Sequence, residues 1–102
     1  MQKKILVVDD QTQIRELLYD ALTKAGFKVI ATHSGMTAIE LIKEQKPDLV
    51  LLDFKMSDLN GVDTLKKIRI LDNKTKIIML TGCGTEELEK EARLSGVGGF
   101  LS

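Results

Sequence analysis

Acidic side chains directly follow two short apolar runs of this sequence, and they are the residues best suited to chemistry. Asp9 and Asp10 follow the run at residues 5–8. Asp53 follows the run at residues 49–52 in the same way. If the two runs are neighbouring strands, the three carboxylates converge, and such like charges cannot all ionise cheaply without a cation. Oxygen ligands without a His or Cys cluster favour Mg²⁺ as that cation.

A fourth polar residue, Thr81, follows another apolar run at residues 77–80. In open α/β sheets, ligands bind at the carboxyl edge of the strands, where such residues gather. Any one of these acids, taken alone, is expected to cap a helix or face solvent. The four polar strand ends together favour a functional site.

The elements that must position these residues alternate along the chain. Apolar runs of strand length predict buried parallel strands, and apolar residues at three- and four-residue steps predict the helices between them. Gly26 is expected to close the first helix in a left-handed conformation, Ser34 to cap the second, and Asn60-Gly61 to form a turn. The pattern predicts an α/β fold, a doubly wound parallel sheet of five strands. The predicted strands are at residues 5–8, 29–31, 49–52, 77–80 and 99–101.

Composition limits the classes of function. The chain has 102 residues with fifteen basic and fifteen acidic side chains, so we expect one domain without the basic field that nucleic acid or an anionic membrane requires. No apolar run is long enough for a signal peptide or a membrane span. The single cysteine, Cys83, agrees with a reducing compartment, and we expect the protein to be cytoplasmic.

The motifs, taken in order over nearly the whole chain, resemble the receiver domain of two-component response regulators. Within that family the sequence looks most like the small stand-alone receiver of a sporulation-type phosphorelay. The resemblance implies a flavodoxin-like fold with strand order 2-1-3-4-5. The matching stretches are residues 5–11, residues 47–53 with Met56 and Gly61, Thr81-Gly82, and residues 96–101.

The resemblance also implies roles for individual residues. Asp53 would be the phosphoacceptor and would take a phosphoryl group from a phosphohistidine. Asp10, Asp53 and the main-chain carbonyl of Lys55 would bind Mg²⁺, with Asp9 acting through a metal-bound water. The domain would catalyse only its own phosphorylation and dephosphorylation.

A second set of residues would sense the phosphoryl group or meet the partner. By the resemblance, Thr81 and Gly82 would bind the phosphoryl oxygens, and Phe100 would be the coupled aromatic residue. The partner would be a sensor histidine kinase or a histidine phosphotransferase. Apolar anchors at helical spacing suit a helical partner, so we expect docking on the first helix, although the same spacing also defines a core face. The residues expected to dock are Gln13, Ile14 and Leu18.

Two departures from the family pattern carry expectations of their own. Ser57 stands where the family usually has Pro, which predicts a less rigid loop. The Lys that usually ends the fifth strand would fall after Ser102, and a fifth helix would follow it. The sequence thus predicts a C-terminally incomplete receiver that lacks the fifth helix. Side chains such as Ile5 or Val7 would then be exposed, and a homodimer would cover that face of the sheet.

Three alternatives remain open at this point. A haloacid-dehalogenase-type phosphatase also uses a strand-end Asp, but it needs an acid two residues later, where this chain has Lys55. A dinucleotide-binding loop needs a third glycine where this chain has Glu87. A docking module that keeps the receiver fold without phosphorylation is the third alternative.

Overall fold

The computed structural model describes residues 2–53, 56, 58, 60–72, 74–80, 90, 93–94 and the backbone of 99–101. Within these residues, five strands form one sheet in the order β2-β1-β3-β4-β5. The strands are β1 (Lys4–Val8), β2 (Lys28–Thr32), β3 (Leu49–Asp53), β4 (Lys76–Leu80) and β5 (Gly99–Leu101). The helices with defined bounds are α1 (Thr12–Lys24), α2 (Gly35–Gln45) and α3 (Gly61–Leu71).

Every pair of neighbouring strands is parallel, so all five carboxyl ends lie at one edge of the sheet. The central pair is β1 and β3, with Ile5 opposite Leu49 and Val8 opposite Leu52. This confirms the fold class and the strand order expected from the sequence. It also places the residue after Val8 next to the end of β3, as the predicted site requires.

Side-chain caps start the two helices that follow β2 and β3. The Ser34 hydroxyl accepts a hydrogen bond from the N–H of Thr37 at 3.2 Å, which confirms the predicted cap. Asn60 Oδ1 accepts one from the N–H of Asp63 at 2.8 Å, so the predicted Asn60-Gly61 turn serves as a helix start. A side-chain acceptor here satisfies a backbone donor that has no partner within the helix.

The two ends of α1 differ from those of the other described helices. Its N-cap is Gln11, whose side chain makes no capping hydrogen bond. After its C-cap, Gly26 adopts φ +99°, the left-handed conformation predicted for this glycine and strained for other residues. α2 ends instead with Lys46 at φ 48°, directly before Pro47, which has no N–H to continue a helix.

The face of the sheet under α2 and α3 carries the larger core. Both helices bury side chains completely against β1, β3 and β4, including the predicted inner residues of α3. The close packing of branched side chains here supplies most of the hydrophobic stabilisation of the domain. The buried residues of this core are Leu6, Val8, Ala38, Ile42, Val50, Leu52, Met56, Val62, Leu65, Ile68, Ile77 and Met79.

The opposite face, under α1, has a smaller core. Its fully buried members are Ile5, Val7 and Leu51, and α1 itself contributes no fully buried residue. Leu18 and Leu22 pack against this core while remaining partly exposed. Leu17 does not share the apolar face of α1, because its side chain is 65% exposed. One residue along a helix turns about 100°, which carries Leu17 away from the sheet.

The expectation that Ile5 and Val7 are exposed is also wrong. Their exposed fractions are 3% and 0%, because side chains of α1 pack over this half of the sheet. The same face is less well covered at β4, where Ile78 is partly exposed while Ile77, on the other side of the strand, is fully buried.

Some predictions fall on residues that the structure does not describe. They concern Lys55, Thr81 and Gly82, and most of the predicted fourth helix, of which Lys90, Arg93 and Leu94 are described as helical. Among the described helices, none has the length and apolar character needed to cross a membrane.

Candidate functional site

Two adjacent strands bring the predicted carboxylates together. Asp9 and Asp10 lie just after β1, and Asp53 is the last residue of β3. One carboxylate oxygen from each of the three residues lies within 4.8 Å of the other two. The convergence predicted from the spacing in the sequence is therefore confirmed by the geometry.

The three carboxylates differ in their surroundings. Asp9 is 4% exposed and Asp53 is 9% exposed, whereas Asp10 is exposed. Burial raises the pKa of Asp9 above its usual value, because the charged form loses water. The negative charge of Asp10 raises this pKa further, while hydrogen bonds with the N–H of Gln11 and with Asp53 lower it, as does the positive charge of Arg15.

The backbone and the first turn of α1 hold Asp9 in place. Its Oδ1 accepts a hydrogen bond from the N–H of Gln11 at 2.9 Å. Its carbonyl oxygen accepts one from Arg15 Nη1 at 2.8 Å, and the other guanidinium arm reaches the Thr12 hydroxyl at 3.1 Å. Asp9 is thus fixed through both its side chain and its backbone, so the site is organised before any ligand arrives.

The donor set fits a divalent cation of the magnesium type. All three groups are carboxylates, two of them are nearly buried, and their mutual repulsion falls when a cation lies between them. The exposed position of Asp10 leaves one side of the cluster open to water and to phosphate oxygens, which Mg²⁺ usually retains as ligands.

The other predicted site residues are placed only in part. Phe100 lies on β5 opposite Met79 of β4, and its side chain is outside the description. On α1, Gln13 is exposed, whereas Ile14 and Leu18 are partly buried. Leu18 also packs against the smaller core, so it contributes to folding as well.

One further residue with a defined role in the structure was not predicted from the sequence. Asp58 lies between β3 and α3, and its carboxylate contacts the start of α2. These residues are 22 to 24 positions apart, and no local pattern in the sequence connects them. An acid in a loop after a strand gave no signal of this role.

Comparison with protein families identifies the family of the chain. The family described as "Response regulator receiver domain" matches residues 5–102. The chain belongs to this family. Receiver domains are parts of two-component systems, and they bind Mg²⁺ at an acidic pocket such as the one formed here by Asp9, Asp10 and Asp53.

Two relatives have lengths close to that of this receiver domain. The sporulation initiation phosphotransferase F of Bacillus subtilis is 34% identical over 96 residues, which are 94% of this chain and 77% of the relative. The chemotaxis protein CheY of Thermotoga maritima is 38% identical over 102 residues, covering 99% of this chain and 85% of the relative. The resemblance to small receivers, sporulation type included, is confirmed.

Solved structures agree with the fold. A CheY-like response regulator receiver domain protein from Methanospirillum hungatei superposes with a TM-score of 0.95 at 28% identity. The match covers 99% of this receiver domain and 81% of that chain. The strand order described above is therefore that of a known receiver.

Proposed function

We propose that this receiver domain is a phosphoacceptor that takes a phosphoryl group from a phosphohistidine onto Asp53 with the help of Mg²⁺. The observation that carries the proposal is the convergence of the Asp9, Asp10 and Asp53 carboxylates at the carboxyl edge. Asp53 is the member that ends the central strand β3, where it lies opposite Leu80 of β4 and directly after the last residue of the ladder with β1. Family membership supports the assignment of this residue as the acceptor.

The proposed reaction is a displacement at phosphorus. A carboxylate oxygen of Asp53 forms a bond to phosphorus, the bond from phosphorus to the histidine nitrogen breaks, and the imidazole keeps the electron pair and gains a proton. Bound Mg²⁺ would neutralise charge on the phosphoryl oxygens. Asp10, Asp53 and the main-chain carbonyl of Lys55 would hold that ion, and Asp9 would act through a metal-bound water.

The fold positions Asp53 for such an attack without a general base. A carboxylate attacks through an oxygen that carries no proton, so it needs no base to act as a nucleophile. The protein contributes mainly position and charge, as in phosphoryl transfer generally. In this proposal the domain catalyses only its own phosphorylation and the later hydrolysis of the phosphoaspartate.

The test is phosphorylation of the purified chain by acetyl phosphate with and without Mg²⁺. We expect a gain of one phosphoryl group in intact mass that requires Mg²⁺ and disappears in Asp53→Asn. Asp10→Asn should raise the Mg²⁺ concentration needed for half-maximal modification. Asp20→Asn removes an exposed acid from α1 and is the matched control.

Each other outcome of this experiment points to a different class. Repeated turnover of acetyl phosphate with little accumulated phosphoprotein would indicate a phosphatase. No modification of the wild-type chain would indicate a docking module that keeps the receiver fold. Unchanged modification of Asp53→Asn would contradict the assignment of the acceptor.

The partner in this proposal is a sensor histidine kinase or a histidine phosphotransferase that contacts α1. Gln13 is exposed and Ile14 is half-buried near the start of this helix, close to Asp9 and Asp10 in the chain. Gln13→Ala and Ile14→Ala should slow transfer from a phosphorylated histidine phosphotransfer domain and leave the rate with acetyl phosphate unchanged. Equal losses with both donors would point to a folding defect. A homodimer and a cytoplasmic location stay predictions.

A further inference from the structure

One acidic side chain outside the carboxylate cluster joins two distant segments of the chain. Asp58 lies between β3 and α3, and its carboxylate accepts hydrogen bonds from the start of α2. The Ser34 hydroxyl donates at 2.7 Å, and the N–H groups of Gly35 and Met36 donate at 3.2 Å each. A carboxylate is favourable here, because the first N–H groups of a helix have no partner within it and the helix dipole is positive at this end.

The contacts continue from Ser34 towards Asp9. The N–H of Ser34 donates to the Thr32 hydroxyl at 3.3 Å, and the carbonyl of Thr32 accepts from the N–H of Asp9 at 3.1 Å. Thr32 is 8% exposed, and its hydrogen bond with Ser34 is partly buried. We call Thr32, Ser34 and Asp58 the bridging network, because they connect the segment that carries Asp9 to the segment that follows Asp53.

Regular strand pairing does not reach all of these segments. The ladder between β1 and β3 extends to Val8 and Leu52, one residue before each carboxylate. Asp10 lies beyond β1, and Met56 and Asp58 lie beyond β3. The bridging network therefore supplies hydrogen bonds between the segments where the sheet ends. Met56, 9% exposed in the larger core, is a second fixed point on the connection from β3 to α3.

We propose that Asp58 is a positioning residue for the Mg²⁺ site. It holds the connection after Asp53 against α2 and, through Ser34 and Thr32, fixes the spacing between the two segments that carry the carboxylates. Spacing matters because Mg²⁺ requires near-octahedral geometry with short bonds, so a small displacement of its ligands weakens binding. The inference rests on the proposed function, in which this site binds Mg²⁺.

The experiment is a Mg²⁺ titration of the full chain, followed by amide chemical shifts or by calorimetry. Asp58→Ala should weaken binding by about tenfold, the size of effect typical for partners that orient metal ligands. Ser34→Ala should give a smaller loss, because the N–H groups of Gly35 and Met36 still reach Asp58. If Asp58→Ala does not fold, Ser34→Ala decides the question.

Two control variants separate positioning from other effects. Glu40→Gly weakens α2 at an exposed position away from the network, so it should lower stability and leave the dissociation constant for Mg²⁺ unchanged. Asp63→Asn removes an exposed acid from the first turn of α3 and reports mainly the effect of lost negative charge, because the new amide oxygen can still accept the hydrogen bond from Asn60 Nδ2, 3.0 Å in the wild type. It should change Mg²⁺ binding less than twofold, as expected for an exposed charge screened by salt.

A second measurement follows α2 directly. Coupling between sites is reciprocal, so Mg²⁺ should strengthen the contacts of Asp58 as much as these contacts strengthen Mg²⁺ binding. Hydrogen exchange at the amides of Gly35 and Met36 should slow when Mg²⁺ is added to the wild type. In Asp58→Ala, the same addition should leave exchange at these amides unchanged.

Three results would overturn the inference. The first is an unchanged dissociation constant in Asp58→Ala, and the second is an equal loss of affinity in Asp63→Asn. The third is a loss of Mg²⁺ affinity in Glu40→Gly that is proportional to its loss of stability. Failure of the wild-type chain itself to bind Mg²⁺ would instead contradict the proposed function, and the inference would fall with it.

Discussion

The two faces of the sheet differ in how completely their helices are fixed. α2 and α3 bury side chains such as Ala38 and Ile68 completely, and both begin with a side-chain cap. α1 buries no residue completely, and its N-cap, Gln11, makes no side-chain hydrogen bond. Since apolar burial and caps are the main local sources of helix stability, we expect the face under α2 and α3 to dominate the stability of the described part of the chain.

This difference bears on how the site works. Met56, on the segment that runs from the end of β3 to α3, is buried in the larger core. Asp9 and Asp10 lead into α1, on the less packed side. The segment that follows the proposed acceptor, Asp53, is thus held in the larger core through Met56, whereas the helix proposed to meet the partner keeps exposed and half-exposed side chains. A partner can use such side chains without opening the main core.

The largest expected effect comes from the centre of the better packed face. Ile68 is completely buried in α3, and Ile68→Ala leaves a cavity that the neighbours fill only in part. We expect it to lower the free energy of unfolding by about 2–5 kcal/mol. Urea denaturation followed by circular dichroism measures this loss. A loss below that of a comparable substitution in α1 would contradict the comparison of the two faces.

The comparable substitution in α1 is Leu18→Ala. Leu18 packs against the smaller core and remains partly exposed, so less apolar area is lost from the folded state. We expect a loss of about 1 kcal/mol. The same urea experiment checks it, with Leu17→Ala as the control, since Leu17 is 65% exposed and should have little effect.

Caps give a third contrast between the faces. Asn60→Ala removes the acceptor for the N–H of Asp63 and should lower the free energy of unfolding by about 1 kcal/mol. Gln11→Ala should change it by less than about 0.5 kcal/mol, because the side chain of Gln11 makes no cap and its N–H bond to Asp9 is kept. Equal losses in thermal unfolding would show that α1 is capped in some other way.

The smallest effect concerns pH and the turn after α3. Hydrogen bonds from the Thr75 hydroxyl and the N–H of Lys74 lower the pKa of Asp72 below its usual value. A carboxyl group with a lowered pKa in the folded state stabilises the protein above its unfolded pKa, and this contribution is lost as pH falls through the folded pKa. Asp72→Asn should therefore cost stability at neutral pH, and the difference from wild type should vanish in acid. Unfolding measured between about pH 7 and pH 3 tests this, and a difference that persists in acid would contradict it.

Most of the fold and the centre of the site could be predicted from the sequence. Buried strands that end on acids predicted both the sheet and the approach of Asp9, Asp10 and Asp53, because the parallel order puts all strand ends at one edge. Local features such as the cap at Ser34 and the left-handed conformation of Gly26 could be predicted equally well, since each depends on a few neighbouring residues.

Features that depend on distant contacts could not be predicted in the same way. The burial of Ile5 and Val7 results from how α1 lies on the sheet. The spacing of apolar residues in the sequence does not indicate that arrangement. The contact of Asp58 with α2 joins residues whose approach is decided by the fold as a whole. Tertiary packing, rather than local preference, decides such positions.

The most direct test of the account is to locate the phosphoryl group among the three neighbouring carboxylates. After acetyl phosphate treatment with Mg²⁺, borohydride reduces a phosphoaspartate to homoserine, and peptide sequencing by mass spectrometry identifies the position. We predict homoserine at residue 53, with Asp9 and Asp10 unchanged. Homoserine at residue 9 or 10, or modification that does not require Mg²⁺, would contradict the assignment of Asp53 as the phosphoacceptor.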